Sequence, residues 1–180
     1  MPTTGSALTD LDWRVGAPIR PPEGALELLT AAFAGLPYAY PPERLAGRLD
    51  AWDRLLGERA FRCVEARRSG RLVGIAWGWP TRGLVDGLYA GLYRTMRASL
   101  GPAMLLLQGT EVVEVAVDPA AQGDGIGGQL LERLTDGGPG WLLARADAPA
   151  AAWYRRHGWQ HVATVGAGGA GVPLEVLVRP

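Results

Sequence analysis

A glycine-rich segment lies between an apolar run and an amphipathic run of the sequence. It reads Gln-Gly-Asp-Gly-Ile-Gly-Gly over residues 122–128, separated by four residues from the Val-rich stretch 111–117. Glycines let a backbone adopt positive φ and approach a ligand closely. The unpaired N–H groups and the dipole at a helix start favour an anion. The segment therefore predicts a phosphate-binding turn, and the chemistry depends on which phosphate it binds.

Two familiar nucleotide sites are the first alternatives. A P-loop requires a Lys after its glycines, and the chain contains no Lys, so this site is excluded. Residues 123–128 satisfy the dinucleotide pattern G-x-G-x-x-G literally, and Asp147 lies about where an acidic ribose ligand is expected. Against this, residues 118–122 separate the glycines from the strand, and too little chain follows for the remaining βα units. NAD(P) binding stays open as an alternative.

A second motif points to a third ligand. Residues 115–127 resemble the signature of the GCN5-related N-acetyltransferases, whose core Q/R-x-x-G-x-G/A falls on Gln122, Gly125 and Gly127. The stretch DAPAAAWYRRHGW at 147–159 is similar to the family's second element, and its Tyr is Tyr154. The resemblance is specific over 111–160 and architectural elsewhere. It implies an α/β (α+β) fold, with a mixed, mostly antiparallel twisted sheet of about six or seven strands flanked by about four or five helices.

The same resemblance implies acetyl-CoA as co-substrate, with the strand at 115–117 splaying from its neighbour to bind pantetheine through its backbone. Gln122 replaces the commoner Arg, and the Asp124 carboxylate near a pyrophosphate is expected to weaken binding by Coulomb repulsion. The cofactor-binding residues implied are Val115, Ala116, Val117, Gln122, Gly123, Asp124, Gly125, Ile126, Gly127, Asp147 and Tyr154.

Two residues are candidates for proton transfer. Tyr154 occupies the position where the resemblance places a general acid, and a tyrosine stays protonated at neutral pH. Glu111 matches an acidic position that several family members use as a base. Strict strand alternation puts Glu111 and Val115 on one face and Glu114 on the other, which favours Glu111. The structural alternatives are a packed aromatic ring for Tyr154 and a salt-bridged carboxylate for Glu111.

The elements that position these residues follow from the hydrophobic periodicity. The sequence predicts a first strand at LDWRVGAP, helices over 23–36 and 41–58, and a hairpin of runs 60–67 and 71–79 around Ser69-Gly70. It then predicts a helix through Leu84, Leu88, Leu92 and Met96, and an apolar β-rich stretch from Ala103 to Pro119. A helix at about 125–136, a strand at 141–146, a helix at 148–158 and two strands complete the chain. One domain over 1–180 is expected, with 1–10 as a loose arm and 80–109 as a variable, acceptor-side segment.

Composition limits the partners. The 18 basic residues balance the 18 acidic ones, which argues against a nucleic-acid binder. Neither a signal sequence nor a membrane-spanning run is visible, which indicates a cytoplasmic protein that does not bind membranes. One Cys and two His do not support a metal site. Trp77, Trp79, Tyr89 and Tyr93 either line a cleft or belong to the core, and the core is favoured.

The resemblance implies an enzyme that transfers an acyl group, expected to be acetyl, from acyl-CoA directly to a primary amine of a small molecule or peptide. A non-catalytic acyl-CoA-binding module on the same fold is the main alternative. A homodimer is also expected, from family habit and the apolar segment 84–107.

Overall fold

One seven-stranded sheet organises the protein. The computed structural model describes residues 8–58, 60–81, 90–166 and 171–180. The strands are β1 (Leu11–Gly16), β2 (Arg62–Arg68), β3 (Arg71–Pro80), β4 (Thr110–Val117), β5 (Gly140–Arg145), β6 (Gln160–Val165) and β7 (Leu174–Arg179). Their order is β1-β2-β3-β4-β5-β7-β6. Every neighbouring pair is antiparallel except β4–β5, which confirms the mixed, mostly antiparallel sheet.

Helices cover both faces of this sheet. The described residues contain α1 (Ala25–Phe33), α2 (Pro42–Asp50), α3 (Trp52–Glu58), α4 (Ala90–Leu100), α5 (Ile126–Thr135) and α6 (Pro149–Arg156). On one face, called the α1 face, Leu29 and Leu45 pack on Ile75 and Trp77. On the other face, called the α5 face, Leu130 of α5 packs with strand residues that alternate with Ile75 and Trp77, such as Ala76. Because strand side chains alternate, each strand contributes to both cores.

The predicted hairpin is confirmed, while the predicted helix 41–58 divides in two. Ser69 and Gly70 both have positive φ, as a two-residue hairpin turn requires. The helix breaks at Ala51, whose φ and ψ are −80° and 0°. The break lets Trp52 enter the core at 1% exposure, where its indole N–H donates to the Pro18 carbonyl at 2.8 Å.

The stretch before β4 is a correction to the sequence prediction. Residues Gly101–Leu106 form a 3-10 helix, not a strand. Gly101 at φ 51° ends α4, and Pro102 then supplies a helical φ and no N–H donor, which suits the first position of a helical turn and not a strand. Leu84, Leu88 and Tyr89 of the predicted preceding helix lie outside the described residues.

A β-bulge in β4 overturns the predicted placement of Glu114. Trp77 faces Glu114 and Gly78 faces Val112, so Val113 is an extra residue in the ladder. Since Trp77 and Trp79 share a side of β3, their partners Glu114 and Glu111 share a side of β4, the α1 face. Strict alternation fails here because the extra residue shifts the pattern by one position. The prediction that Glu114 points away from Glu111 is therefore wrong.

Candidate functional site

A cleft opens where β4 and β5 separate. Their parallel ladder joins Thr110 to Gly140 and ends at Val112 and Leu142, although β4 continues to Val117 and β5 to Arg145. A cavity of about 550 Å³ lies at this point. Its lining includes Leu142 and Ala144 of the α5-face core and Trp77 and Trp141 of the α1 face. The cavity therefore reaches both faces of the sheet and is suited to two ligands that meet between the strands.

The glycine-rich turn lies at the end of β4. Gly123 and Gly125 have φ of 92° and 83°, conformations that L side chains rarely adopt. Gly125 is the N-cap of α5 and makes no side-chain capping bond, so the first amides of α5 are left for another acceptor. A Cβ at Gly127 would contact the Trp153 ring at 3.5 Å. These features fit a pyrophosphate: an uncapped helix start, a backbone free of side chains, and a wall formed by α6.

The structure pairs the unexpected acidic residue of this turn with an arginine. Asp124 forms an ion pair with Arg68 at 3.0 Å, and Arg68 also lies 3.0 Å from Asp10. The nearby guanidinium offsets the repulsion that Asp124 alone would exert on a phosphate. Gln122 and Gly123 of the turn are exposed, whereas Ile126, the first residue of α5, is buried.

Tyr154 reaches the cavity from α6. It is half-buried, and its ring packs edge-on against Trp153 and Trp159 at centroid distances of 5.2 and 5.7 Å. Burial, with smaller contributions from Tyr38 and Glu114, raises the pKa of Tyr154 well above its ordinary value of 10. The phenol is therefore protonated throughout the physiological pH range.

Glu111 is fixed inside the same cavity. It is 6% exposed and accepts hydrogen bonds at 2.7 Å from the Trp79 indole N–H and from the Tyr93 hydroxyl. Trp79 and Tyr93 are core residues, as the sequence favoured, but their polar atoms also orient a carboxylate. Sequence reasoning missed this role, although a buried Trp or Tyr usually needs such a partner.

Glu114 lies on the same face and pairs with Arg48 of α2. Burial raises the pKa of Glu114, and the Arg48 charge opposes that shift. Sequence reasoning missed Arg48. The signal was present, because residues 44, 47, 48, 51 and 54 recur at helical spacing, and all of them line the cavity.

Asp147, which the resemblance also assigns to cofactor binding, is not part of the glycine-rich turn. It follows β5 and accepts two hydrogen bonds from Arg145, at 2.9 and 2.7 Å. Those bonds lower the pKa of Asp147. Arg145 lines the cavity, where Tyr38 also lies, and burial followed by the Glu114 charge raises the pKa of Tyr38 to about 12.

Within the described residues, no group of three or more His, Cys, Asp or Glu side chains could hold a metal ion. In the same part of the chain, every helix is too short or too polar to cross a membrane.

The splayed parallel pair, the uncapped glycine turn and the mixed sheet define an acyltransferase-type fold. The model of the acetyltransferase (GNAT) domain matches residues 59–161, more than half of the chain. The chain belongs to this family of acetyltransferases, as the sequence motifs predicted, and the family uses acetyl-CoA. The sheet also argues against the NAD(P) alternative, because a dinucleotide-binding unit needs successive parallel strands.

Solved structures share this fold. An acetyltransferase of the GNAT family from Desulfovibrio desulfuricans superposes with a TM-score of 0.64 at 19% identity, covering 93% of this chain and 97% of that one. A GNAT family acetyltransferase from Elizabethkingia anophelis with acetyl-CoA bound gives 0.56 at 13% identity, covering 95% and 98%. The ribosomal-protein-S18-alanine N-acetyltransferase of Escherichia coli gives 0.53 at 17% identity, covering 94% of each chain. A search of curated proteins found no match.

Proposed function

We propose that the protein is an N-acetyltransferase that moves an acetyl group from acetyl-CoA directly to a primary amine. One observation carries the proposal: Tyr154 and Glu111, the two candidates for proton transfer, line one cavity at the point where β4 and β5 separate. Acetyl-CoA and amine approach from opposite faces of the sheet, so a ternary complex needs no covalent enzyme intermediate.

Different segments of the chain bind different parts of acetyl-CoA. The backbone of Val115, Ala116 and Val117 extends beyond the β4–β5 ladder and offers hydrogen bonds to the pantetheine amides. The residues at 122–127, with the first amides of α5, bind the pyrophosphate, and Arg68 offsets the charge of Asp124. Asp147, held by Arg145, borders the cofactor at the end of β5.

The same geometry supports the proposed proton transfers. Acetyl-CoA supplies the acyl group: the amine nitrogen bonds to the thioester carbon, the C–S bond breaks, and the thiolate leaves. Tyr154 donates its phenolic proton to the departing sulfur. Glu111 accepts the proton that the amine loses, and a backbone N–H near Val115 donates to the carbonyl oxygen as its negative charge increases. Glu114 is the second candidate for the base, because the bulge places it on the same face and burial makes it more basic.

The test is an amine screen. The protein is incubated with acetyl-CoA and a panel of amino acids, aliphatic amines and short peptides, while free thiol and acetylated amine are measured together. The proposal expects equal amounts of the two products from at least one amine. Binding of acetyl-CoA without turnover on a broad panel would favour the non-catalytic module instead.

A further inference from the structure

We propose that the acceptor is a small amine that also carries an anionic group, and that Arg44 and Arg54 bind this anion at the outer end of the cavity. The inference rests on the N-acetyltransferase activity proposed above and adds its substrate class. Its basis is the distribution of charge along the cavity wall.

The α2 and α3 helices present a basic stripe to the cavity. Arg44, Arg48 and Arg54 line it together with Gly47 and Ala51. Among the acidic residues of the same helices, Glu43, Asp50 and Asp53 are not part of the lining. Leu45 and Trp52 point to the core instead, at 0% and 1% exposure. Helical spacing thus separates three surfaces, and the surface that faces the cavity is cationic.

Two of the four arginines in the cavity wall already have carboxylate partners. Arg48 pairs with Glu114, and Arg145 pairs with Asp147 at 2.7 Å. Within the described residues, neither Arg44 nor Arg54 is ion-paired with a carboxylate. The Arg44 guanidinium instead lies 4.1 Å from the centroid of the Tyr40 ring, and Tyr40 also lines the cavity. This contact orients the cation and leaves its N–H donors for a ligand.

Charge changes sign along the cavity. Glu111 is buried at its inner end, whereas Arg44 and Arg54 are exposed. An amine that enters nitrogen-first places its nitrogen near Glu111 and Tyr154 and leaves its other end near the arginines. A carboxylate or phosphate at that end is attracted, while a second ammonium is repelled. The geometry therefore favours amino acids, or peptides with an acidic N-terminal residue, over polyamines.

The experiment compares amines that share a carbon skeleton. γ-Aminobutyrate, its neutral amide and putrescine form one series, and C-terminally amidated Asp-Ala and Asn-Ala form the other. kcat/KM is measured for each, and a compound that is not turned over is tested as an inhibitor of the best amine from the screen. We expect the anionic member to be preferred in at least one series, by about 5-fold or more, and the preference to weaken with salt. A preference seen only in the γ-aminobutyrate series indicates free amino acids as acceptors. A preference seen only in the dipeptide series indicates peptide N-termini.

Variants connect this preference to the two arginines. Arg44→Ala and Arg54→Ala should each raise KM for the anionic amine by about 3- to 10-fold, leaving kcat and the neutral amine little changed. Arg97→Ala is the matched control, since Arg97 is an exposed helical arginine of α4 outside the cavity lining.

Several results would overturn the inference while the proposed function stands. They are preference for the neutral or cationic member, equal KM effects on charged and neutral amines, or neither turnover nor inhibition by either series when another amine is acetylated. Absence of turnover with every amine would instead refute the proposed function, and this inference with it.

Discussion

Burial keeps Tyr154 in its protonated form, which is the form that a general acid needs. Its pKa is raised, so the phenol remains protonated to higher pH than a free tyrosine does. Tyr154→Phe keeps the ring and its contacts with Trp153 and Trp159 but removes the proton. We expect kcat to fall by about 100-fold, while the Kd for acetyl-CoA changes little.

The pH dependence of kcat tests whether the phenol keeps its proton, and the Phe variant tests whether that proton is used. The acid is lost only when pH rises through the raised pKa, so the wild-type kcat should not fall between about pH 7 and 9 through loss of this proton. If Tyr154→Phe kept wild-type kcat across that range, Tyr154 would be a packing residue only.

The Gln variants of Glu111 and Glu114 are expected to differ in kcat, because the two carboxylates have different partners. Glu111→Gln preserves the shape, accepts from the Trp79 N–H and can donate to the Tyr93 oxygen, so the protein should fold normally. kcat should fall by about 100-fold through loss of the base, whereas Glu114→Gln should cost less than about 10-fold. The reverse order of the two kcat values would assign the base to Glu114.

Glu111→Ala serves as the structural comparison for Glu111→Gln. It removes the carboxylate that accepts from the buried Trp79 and Tyr93 donors and should lower the free energy of unfolding by about 1–3 kcal/mol for each hydrogen bond lost. Urea denaturation measures the loss, and Glu111→Gln should show little of it.

At the scale of elements, the bulge in β4 depends on Gly78. A Cβ at Gly78 would lie 2.1 Å from the Glu111 carbonyl oxygen, a contact that side chains cannot make. Gly78→Ala should therefore lower the free energy of unfolding by about 1–3 kcal/mol or more and also reduce activity, because it displaces the strand that carries both glutamates. Gly16→Ala in β1 is the control, since open space surrounds that position. Wild-type stability in Gly78→Ala would show that the bulge relaxes without cost.

The pairing of β2 with the glycine turn gives a second prediction at this scale. Arg68→Ala leaves Asp124 without its guanidinium partner beside the proposed pyrophosphate site, so the Kd for acetyl-CoA should rise by about 3- to 10-fold. Adding Asp124→Asn should recover most of that affinity, because the repulsive charge is then gone. If the double variant bound as weakly as Arg68→Ala, repulsion by Asp124 would not be the cause.

The elements with clear periodicity were predictable, and the exceptions have local causes. The hairpin, α5 and α6 follow from alternation, from helical spacing and from their Gly and Pro boundaries. The bulge at Val113 was not predictable. Its cause is the close approach at Gly78 of β3 and β4, which are neighbours in the sheet but far apart in the sequence. Alternation alone therefore assigned Glu114 to the wrong face.

The candidate site also has parts that the sequence predicts and parts that it does not. Its glycine turn and Tyr154 belong to contiguous motifs, which a single sequence displays. The Trp79 and Tyr93 bonds to Glu111, the Arg48–Glu114 pair and the Arg68–Asp124 pair join residues far apart in the chain. Residue types and helical spacing indicate that some of these residues need partners or share a face, but they do not identify which residues pair. The roles of the site residues remain predictions for the variants described above.

At the scale of the whole molecule, the separation of β4 and β5 connects the two faces of the sheet. The α5 face carries the uncapped turn, and the α1 face carries the two glutamates and the basic stripe. Leu105 and Leu106, exposed at 75% and 53%, lie in the apolar segment on which the expected homodimer depends, and that assembly stays a prediction.

Thermal unfolding with and without acetyl-CoA tests the central claim most directly, because the proposed binding site of turn and cleft exists only in the folded protein. At about 100 times its Kd, acetyl-CoA should stabilise the native state by about 2.7 kcal/mol and raise the unfolding midpoint, whereas NADH should leave it unchanged. An unchanged midpoint at millimolar acetyl-CoA, or a rise with NADH alone, would contradict the assignment of this site to acyl-CoA.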